Sequence, residues 1–245
     1  MKYTYLPNTK IKVSKICLGT MTFGNQNTIE ESEEQMDYAL DSGVNFFDTA
    51  ELYPVPASPE RYADTEKIIG AWMKKKSNRD KIILATKIAG PGDYTKHIRT
   101  TGFSEESLFE AVDGSLKRLK TDYIDLYQIH RPSPDIPWEE QLSALDHLVR
   151  QGKVLYVGCS THAPWTIMEA LMVSELKNLV RFVCEQPPYN LLDRRIENEL
   201  GSTGYMVNQT RMWYSSHQMF RSNKNSKKIS DGEEKERLAK FHATP

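Results

Sequence analysis

Polar residues follow the short apolar runs of this chain in a regular way. Such short apolar runs are typical of buried parallel strands. The residues at the ends of six of these runs are Gly19-Thr20, Asp48, Lys87, His130, Ser160 and Gln186. A single polar strand end carries little information, because such residues are usually solvent-exposed or hydrogen-bonded. Five or six in register favour an active site at one rim of a parallel sheet.

Four side chains around these ends form a set that suits the reduction of a carbonyl group. Tyr53 comes five residues after Asp48, just inside the loop that follows the strand, and Lys87 and His130 end the next two strands. Hydride addition to a carbonyl carbon leaves an alkoxide, so the transition state needs a proton donor. A free phenol, with a pKa of about 10, is a weak acid at neutral pH, and a nearby ammonium favours its ionisation.

We therefore expect Tyr53 to donate the proton and Lys87 to lower the pKa of that phenol. Asp48 would hold Lys87 charged and aimed, and His130 would hydrogen-bond the carbonyl oxygen. A packing or surface role is more common for any one of these residue types alone. The four together, at the ends of neighbouring strands, favour the catalytic interpretation.

The elements that would position these residues alternate between strand and helix. Residues 3–13 alternate around Pro7-Asn8, which predicts a hairpin before the first barrel strand. Thr28 and Glu31 form a capping box, and Ser104 can cap a helix with one apolar face. Helices are predicted at about 28–43, 64–75, 104–119, 138–151, 166–174 and 194–200. Six strand–helix units of about 33 residues each predict an α/β protein with a (β/α)8 TIM-type barrel.

The alternation stops near Leu200. Residues 201–245 hold eight Lys/Arg against four Asp/Glu, and their branched aliphatics are Val207, Ile229 and Leu238. A strand is possible at 205–214 and a short helix at 233–241. Two further βα units would need about 66 residues, and residues 201–245 number only 45. We predict a barrel core over 1–200, with the hairpin and six βα units, and an atypical basic segment over 201–245. The barrel is then either incomplete after the sixth unit or closed in an unusual way.

Composition narrows the class of protein. The 245 residues suit one α/β domain, and a formal net charge of −1 predicts neither a nucleic-acid nor a membrane partner. No apolar stretch approaches the roughly 20 residues of a membrane span, and the N-terminus lacks the apolar region of a signal peptide. Cys17, Cys159 and Cys184 lie in or beside buried runs and predict core residues in a cytoplasmic protein. No metal site is predicted.

Five segments of the chain resemble the aldo-keto reductase superfamily. The most specific is SLKRLKTDYIDLYQIH at 115–130, and the others are LGTMTFG at 18–24, FDTAELY at 47–53, ATK at 85–87 and QPPYNLLDR at 186–194. The phrase AELYPVP at 50–56 resembles a bacterial Tas-like branch, which is akin to the potassium-channel β-subunits. The resemblance covers residues 1 to about 200, and residues 201–245 depart from it.

The resemblance implies an NADPH-dependent reductase of aldehydes and ketones, with Tyr53 as the general acid. The positions that match the family's catalytic tetrad are Asp48, Tyr53, Lys87 and His130. The positions that match its cofactor site are Gly19, Thr20, Met21, Asp48, Ser160 and Gln186. Within that set, Ser160 and Gln186 match residues that hydrogen-bond the nicotinamide carboxamide and so select the ring face for hydride transfer.

The chain departs from the family where the rest of the cofactor would bind. The family's Ser-Asn pair after strand five is Ser160-Thr161 here, which weakens or removes one carboxamide contact. Its seventh and eighth strands carry the aromatic that stacks on nicotinamide and the basic groups that hold the adenosine phosphate. Residues 212–215 only partly resemble the end of strand seven, and nothing resembles strand eight. The lysines at 224, 227 and 228 could supply such charge, but they are more simply explained as a solvated basic run.

Two functions from different classes remain open. The first is an enzyme that reduces a small carbonyl substrate. The second is a catalytically impaired product of the same lineage, truncated or altered in frame, or a cofactor-sensing binding protein. The intact tetrad favours the enzyme, and residues 201–245 favour the alternative. An unclosed barrel would also leave open strand edges, which favour self-association.

Overall fold

The structure, a computed structural model, describes residues 1–198 and the backbone of residues 211–212. Over these ranges the strands are β1 Tyr3–Tyr5, β2 Lys12–Ser14, β3 Cys17–Gly19, β4 Phe46–Asp48, β5 Ile83–Ile88, β6 Ile124–Ile129, β7 Val154–Ser160, β8 Phe182–Gln186 and β9 Arg211–Met212. The α-helices are α1 Ile29–Asp41, α2 Asp64–Lys76, α3 Glu105–Leu119, α4 Trp138–Arg150 and α5 Pro164–Lys177. Strand and helix alternate from β3 to β8, as predicted.

The sheet has the strand order of a (β/α) barrel. β1 and β2 form the predicted antiparallel hairpin, and β3 to β9 form one sheet in which each strand lies beside its successor in the chain. The described pairs are all parallel. Parallel strands in chain order, joined by helices, are the barrel pattern. Over the described residues the sheet is curled and open between β3 and β9, so the predicted α/β barrel class is confirmed in its incomplete form.

Helix boundaries follow from local capping and from one buried face. Thr28 and Glu31 make the predicted capping box of α1, and the Ser104 side chain accepts a hydrogen bond from the backbone N–H of Ser107 at the start of α3. Pro164 stands in the first turn of α5, where its missing N–H costs nothing. The fifth helix therefore starts two residues before the predicted position.

The structure differs from the prediction after β8. Within the helix predicted at 194–200 the structure has a 3-10 turn, Arg195–Glu197, and residues 199–200 lie outside the described residues. Five of the six predicted βα units are therefore described with their helices. β9 falls inside the strand drawn at 205–214 and pairs with β8 at Cys184. The helix drawn at 233–241 lies outside the described residues.

Apolar clusters fill both faces of the sheet in the described part, and one of them packs α1 and α2 against it. Another fills the inside of the curled sheet and includes Phe46, Leu126 and Cys184, while the largest lies between the sheet and α3 to α5. Cys159 and Cys184 are buried as predicted, whereas Cys17 is only half-buried. No described helix is long and apolar enough to cross a membrane.

Candidate active site

An ion pair between two barrel strands lies at the centre of the candidate site. The Lys87 ammonium donates to Asp48 Oδ1 at 2.6 Å and to the Thr49 carbonyl at 2.8 Å. Both side chains are excluded from solvent, with exposures of 0% and 2%. Burial alone lowers the pKa of Lys87, but Asp48 and Tyr53 outweigh it and hold that pKa above its ordinary value. Lys87 is therefore charged, and Asp48 holds its ammonium group in place, as predicted from the residue types.

Tyr53 is buried beside this ion pair. Its ring centroid is 5.1 Å from Lys87 Nζ, and the ring packs with Ala50, Leu52 and Ala89. Burial raises the pKa of Tyr53, and the opposing effect of Lys87 does not cancel it. Lys87 does lower the pKa of Tyr53, as predicted from the residue types, but the effect of burial, which the sequence did not reveal, is larger. The phenol stays protonated at neutral pH, which is the form that a proton donor requires.

His130 and Gln186 approach the same centre from β6 and β8. The His130 ring meets the Tyr53 ring edge-on, with centroids 5.8 Å apart. Gln186 donates from Nε2 to Asp48 Oδ2 at 3.1 Å, so each carboxylate oxygen of Asp48 accepts a hydrogen bond. The structure thus brings the four predicted catalytic side chains and one predicted cofactor residue into one cluster.

Ser160 lies next to Gln186 because β7 and β8 pair these two residues directly. The Ser160 hydroxyl donates to the Gln186 carbonyl at 2.8 Å and lies 3.3 Å from the Thr161 hydroxyl. Gln128 Nε2 donates to Gln186 Oε1 at 3.3 Å, a contact that sequence reasoning missed. Alternation along β6 could have found it, because Gln128 is a polar residue inside an apolar run.

The loop after β3 lies against the same centre. Thr20 is buried, and both its backbone N–H and its hydroxyl donate to the Asp48 carbonyl, at 3.1 and 2.8 Å. The Met21 carbonyl accepts from Val55 N–H at 3.0 Å, which ties this loop to the one that carries Tyr53. Gly19 pairs with Asp48 across the strands and has open space where a side chain would be. Whether these residues contact a cofactor stays a prediction.

A second group of buried charges supports the Tyr53 loop. The Glu51 carboxylate accepts from Tyr62 Oη, from Ala89 N–H and from Arg99 Nη1, each at 2.8 Å. Next to it, Arg118 Nε donates to Glu66 Oε2 at 2.6 Å. Burial and the Glu51 carboxylate raise the pKa of Tyr62, so its hydroxyl remains a donor.

We call Glu51, Tyr62, Glu66, Arg99 and Arg118 the Glu51 cluster. Sequence reasoning missed it, because its members are four ordinary charged residues and one tyrosine spread over 68 positions. The one signal in the sequence was Glu51 itself, a charged residue that lies between a buried strand and the buried Tyr53.

Comparisons with known proteins show what the whole sequence is similar to. A sequence model of the aldo/keto reductase family matches residues 15–237. The chain is 38% identical over 216 residues to the protein tas of Escherichia coli strain K12, and equally to that of Shigella flexneri. It is 40% identical over 205 residues to the uncharacterized oxidoreductase YrpG of Bacillus subtilis strain 168.

The extent of these matches differs from the predicted extent. The family match continues past Leu200 to residue 237, whereas the resemblance seen in the sequence stopped at about 200. The matches cover 80–82% of this chain but 61–62% of the relatives. The chain therefore spans about three fifths of the length of the curated relatives it matches.

Proposed function

Since the chain belongs to the aldo/keto reductase family, we propose that it is an oxidoreductase that reduces an aldehyde or ketone to an alcohol. The observation that carries the proposal is the buried Asp48–Lys87 ion pair beside a protonated Tyr53, with His130 at the edge of the tyrosine ring. A phenol with a charged ammonium at this distance suits proton donation to an oxygen that becomes negative.

The residues near Gln186 fit a nicotinamide carboxamide. The Ser160 hydroxyl and the Gln186 amide lie side by side on the Asp48 side of the sheet, and each keeps hydrogen-bonding capacity beyond its contacts in the structure. Gln128 Oε1 is buried without a hydrogen-bond partner among the described residues. NADPH bound there would supply the hydride to the carbonyl carbon.

The protein's own residues then handle the proton and the charge. Tyr53 gives its hydroxyl proton to the carbonyl oxygen as the carbon accepts the hydride, so the product is a neutral alcohol. Lys87 stabilises the tyrosinate that remains, and Asp48 keeps Lys87 in place. His130 orients the carbonyl oxygen toward Tyr53. The buried walls around Tyr53 exclude water, which strengthens each of these interactions.

The test of this function compares two tyrosine variants. Tyr53→Phe removes the proton donor alone, so we expect the rate of NADPH-dependent carbonyl reduction to fall by about 10²–10⁴-fold. Tyr127→Phe is the matched control, because Tyr127 is also fully buried and its hydroxyl has no hydrogen-bond partner among the described residues. The control should keep the wild-type rate. A Tyr53→Phe protein that retains more than about a tenth of that rate contradicts the proposal.

Fluorescence titration with NADPH and with NADH tests the cofactor separately. Both tyrosine variants should bind NADPH as the wild type does, because neither change removes a proposed cofactor contact. The departures in residues 201–245 lead us to expect weaker NADPH binding than in a family member whose last two strands carry the phosphate-binding groups. Loss of two or three charge-assisted contacts at about 1.5–3 kcal/mol each corresponds to several orders of magnitude.

A second candidate function, a cofactor-sensing binding protein, is favoured by one observation. Residues 201–245 are basic and poor in aliphatics. NADPH binding without turnover of any aldehyde or ketone would favour this candidate over the enzyme. For either candidate we propose the cytoplasm as the location, from the free cysteines.

A further inference from the structure

Three side chains with metal-binding atoms cluster on the side of β7 and β8 away from Asp48. They are Cys159, His162 and Glu185, with exposures of 0%, 5% and 1%. One ligand atom from each lies within 4.8 Å of the other two. β7 and β8 pair Cys159 with Glu185 and Ser160 with Gln186. Because successive strand residues point to opposite faces, the cluster lies on the helix side of the sheet while Ser160 and Gln186 face the active site.

The backbone between Ser160 and His162 brings the imidazole back to this face. Thr161 has a left-handed conformation, with φ of 62°, so the chain turns sharply at the end of β7. His162 N–H then donates to Glu185 Oε1 at 3.1 Å. His162 Nδ1 lies 2.9 Å from the Ser160 carbonyl, which can only accept, so Nδ1 carries the proton and Nε2 holds a lone pair.

Two polar atoms of the cluster are buried without a hydrogen bond. Neither His162 Nε2 nor Glu185 Oε2 has a partner among the described residues. A histidine that donates from one ring nitrogen to a backbone carbonyl and leaves the other free is arranged as metal-bound histidines are. These two lone pairs without a hydrogen-bond donor indicate a binding site for a cation.

The charges of the cluster match those of a divalent cation. With Nδ1 hydrogen-bonded to the Ser160 carbonyl, a neutral imidazole would bind a cation through Nε2. Zinc binding would release the proton of the Cys159 thiol, and the resulting thiolate together with the Glu185 carboxylate would balance a charge of +2. Sulfur and nitrogen donors favour zinc over magnesium or calcium.

We propose that Cys159, His162 and Glu185 bind one Zn²⁺ ion, with the fourth position taken by water. Bonds of about 2.0–2.3 Å in a tetrahedral site place the ligand atoms about 3.5 Å apart. The three side chains have ligand atoms within 4.8 Å of one another, and rotation of the side chains would bring them to that spacing. The ion would tie the carboxyl ends of β7 and β8 together, directly behind Ser160 and Gln186. This site is independent of the proposed reductase activity.

The test uses the 245-residue chain without an affinity tag. The protein is stripped with EDTA, dialysed against Zn²⁺, and its bound metal is measured by mass spectrometry. We expect one equivalent of zinc and a higher melting temperature with Zn²⁺ but not with Mg²⁺. Co²⁺ in place of Zn²⁺ should give the thiolate-to-cobalt charge-transfer band of a tetrahedral site. Wild-type protein that retains well below one equivalent, or a cobalt spectrum without that band, overturns the proposal.

Variants identify the ligands. Cys159→Ser should lose the charge-transfer band, and Glu185→Gln should lose stoichiometric zinc. Cys184→Ser is the matched control, because Cys184 is an equally buried cysteine on β8 that packs with the inner layer of the sheet. It should keep both the band and the zinc. Equal metal binding by all three variants would also overturn the assignment, and the wild-type measurements decide the matter if a variant does not fold.

Discussion

Glu51→Gln tests whether burial makes the Glu51 cluster a main support of the Tyr53 loop. The Glu51 side chain is 3% exposed and the Arg99 side chain 8%. Replacement by glutamine keeps the shape and one acceptor oxygen. It removes the negative charge that Arg99 faces at 2.8 Å, and it places an NH₂ group against one of the donors.

The expected loss of stability is large. Removal of one partner from a buried ion pair costs about 3–5 kcal/mol, because the other charge remains buried without compensation. For a protein of this size, about 1 kcal/mol corresponds to a shift of about 2–4 °C in melting temperature. We therefore expect Glu51→Gln to lower the melting temperature by about 6–20 °C.

Thermal unfolding followed by circular dichroism measures this shift against a matched control. Glu33→Gln breaks the Lys75–Glu33 pair, whose N–O distance of 2.6 Å is shorter than that of the Glu51 pair but whose lysine is 62% exposed. Exposed pairs contribute about 0–1 kcal/mol, so the control should shift little. Equal shifts for Glu51→Gln and Glu33→Gln would refute the reasoning, since distance rather than burial would then govern both pairs.

Three further outcomes are expected. Gly70→Ala should destabilise the protein by about 1–3 kcal/mol, because its new Cβ would lie 2.2 Å from the Arg118 backbone carbonyl. Urea unfolding measured against the wild type tests this, and an unchanged free energy of unfolding would contradict it. Burial raises the pKa of Tyr53, so the rate of carbonyl reduction should not fall through tyrosine ionisation below about pH 10. A decrease in rate just above neutral pH that is absent in Tyr53→Phe would contradict this. The open edges of the described sheet at β3 and β9 predict concentration-dependent self-association in light scattering, and a monomer at every concentration would count against it.

Local pattern was sufficient to predict the barrel units and the residues at their ends. Apolar runs, capping residues such as Thr28 and Ser104, and turn signals act within a few positions, so they can be read along the chain. Because parallel strands in chain order place their carboxyl ends at one rim, the grouping of Asp48, Lys87 and His130 followed from the order of the elements. The helix at 194–200 was predicted from the same kind of signal, and the structure has a 3-10 turn there.

Contacts between distant segments were decided only by the tertiary structure. The sign of the pKa shift of Tyr53 depends on how completely its ring is buried, which the Lys87 charge alone does not reveal. The Glu51 cluster and the Cys159–His162–Glu185 site depend on strand register and on the left-handed turn at Thr161. Such groups form because buried charges and polar atoms must find partners in three dimensions, and no spacing along the chain encodes which partner each one meets.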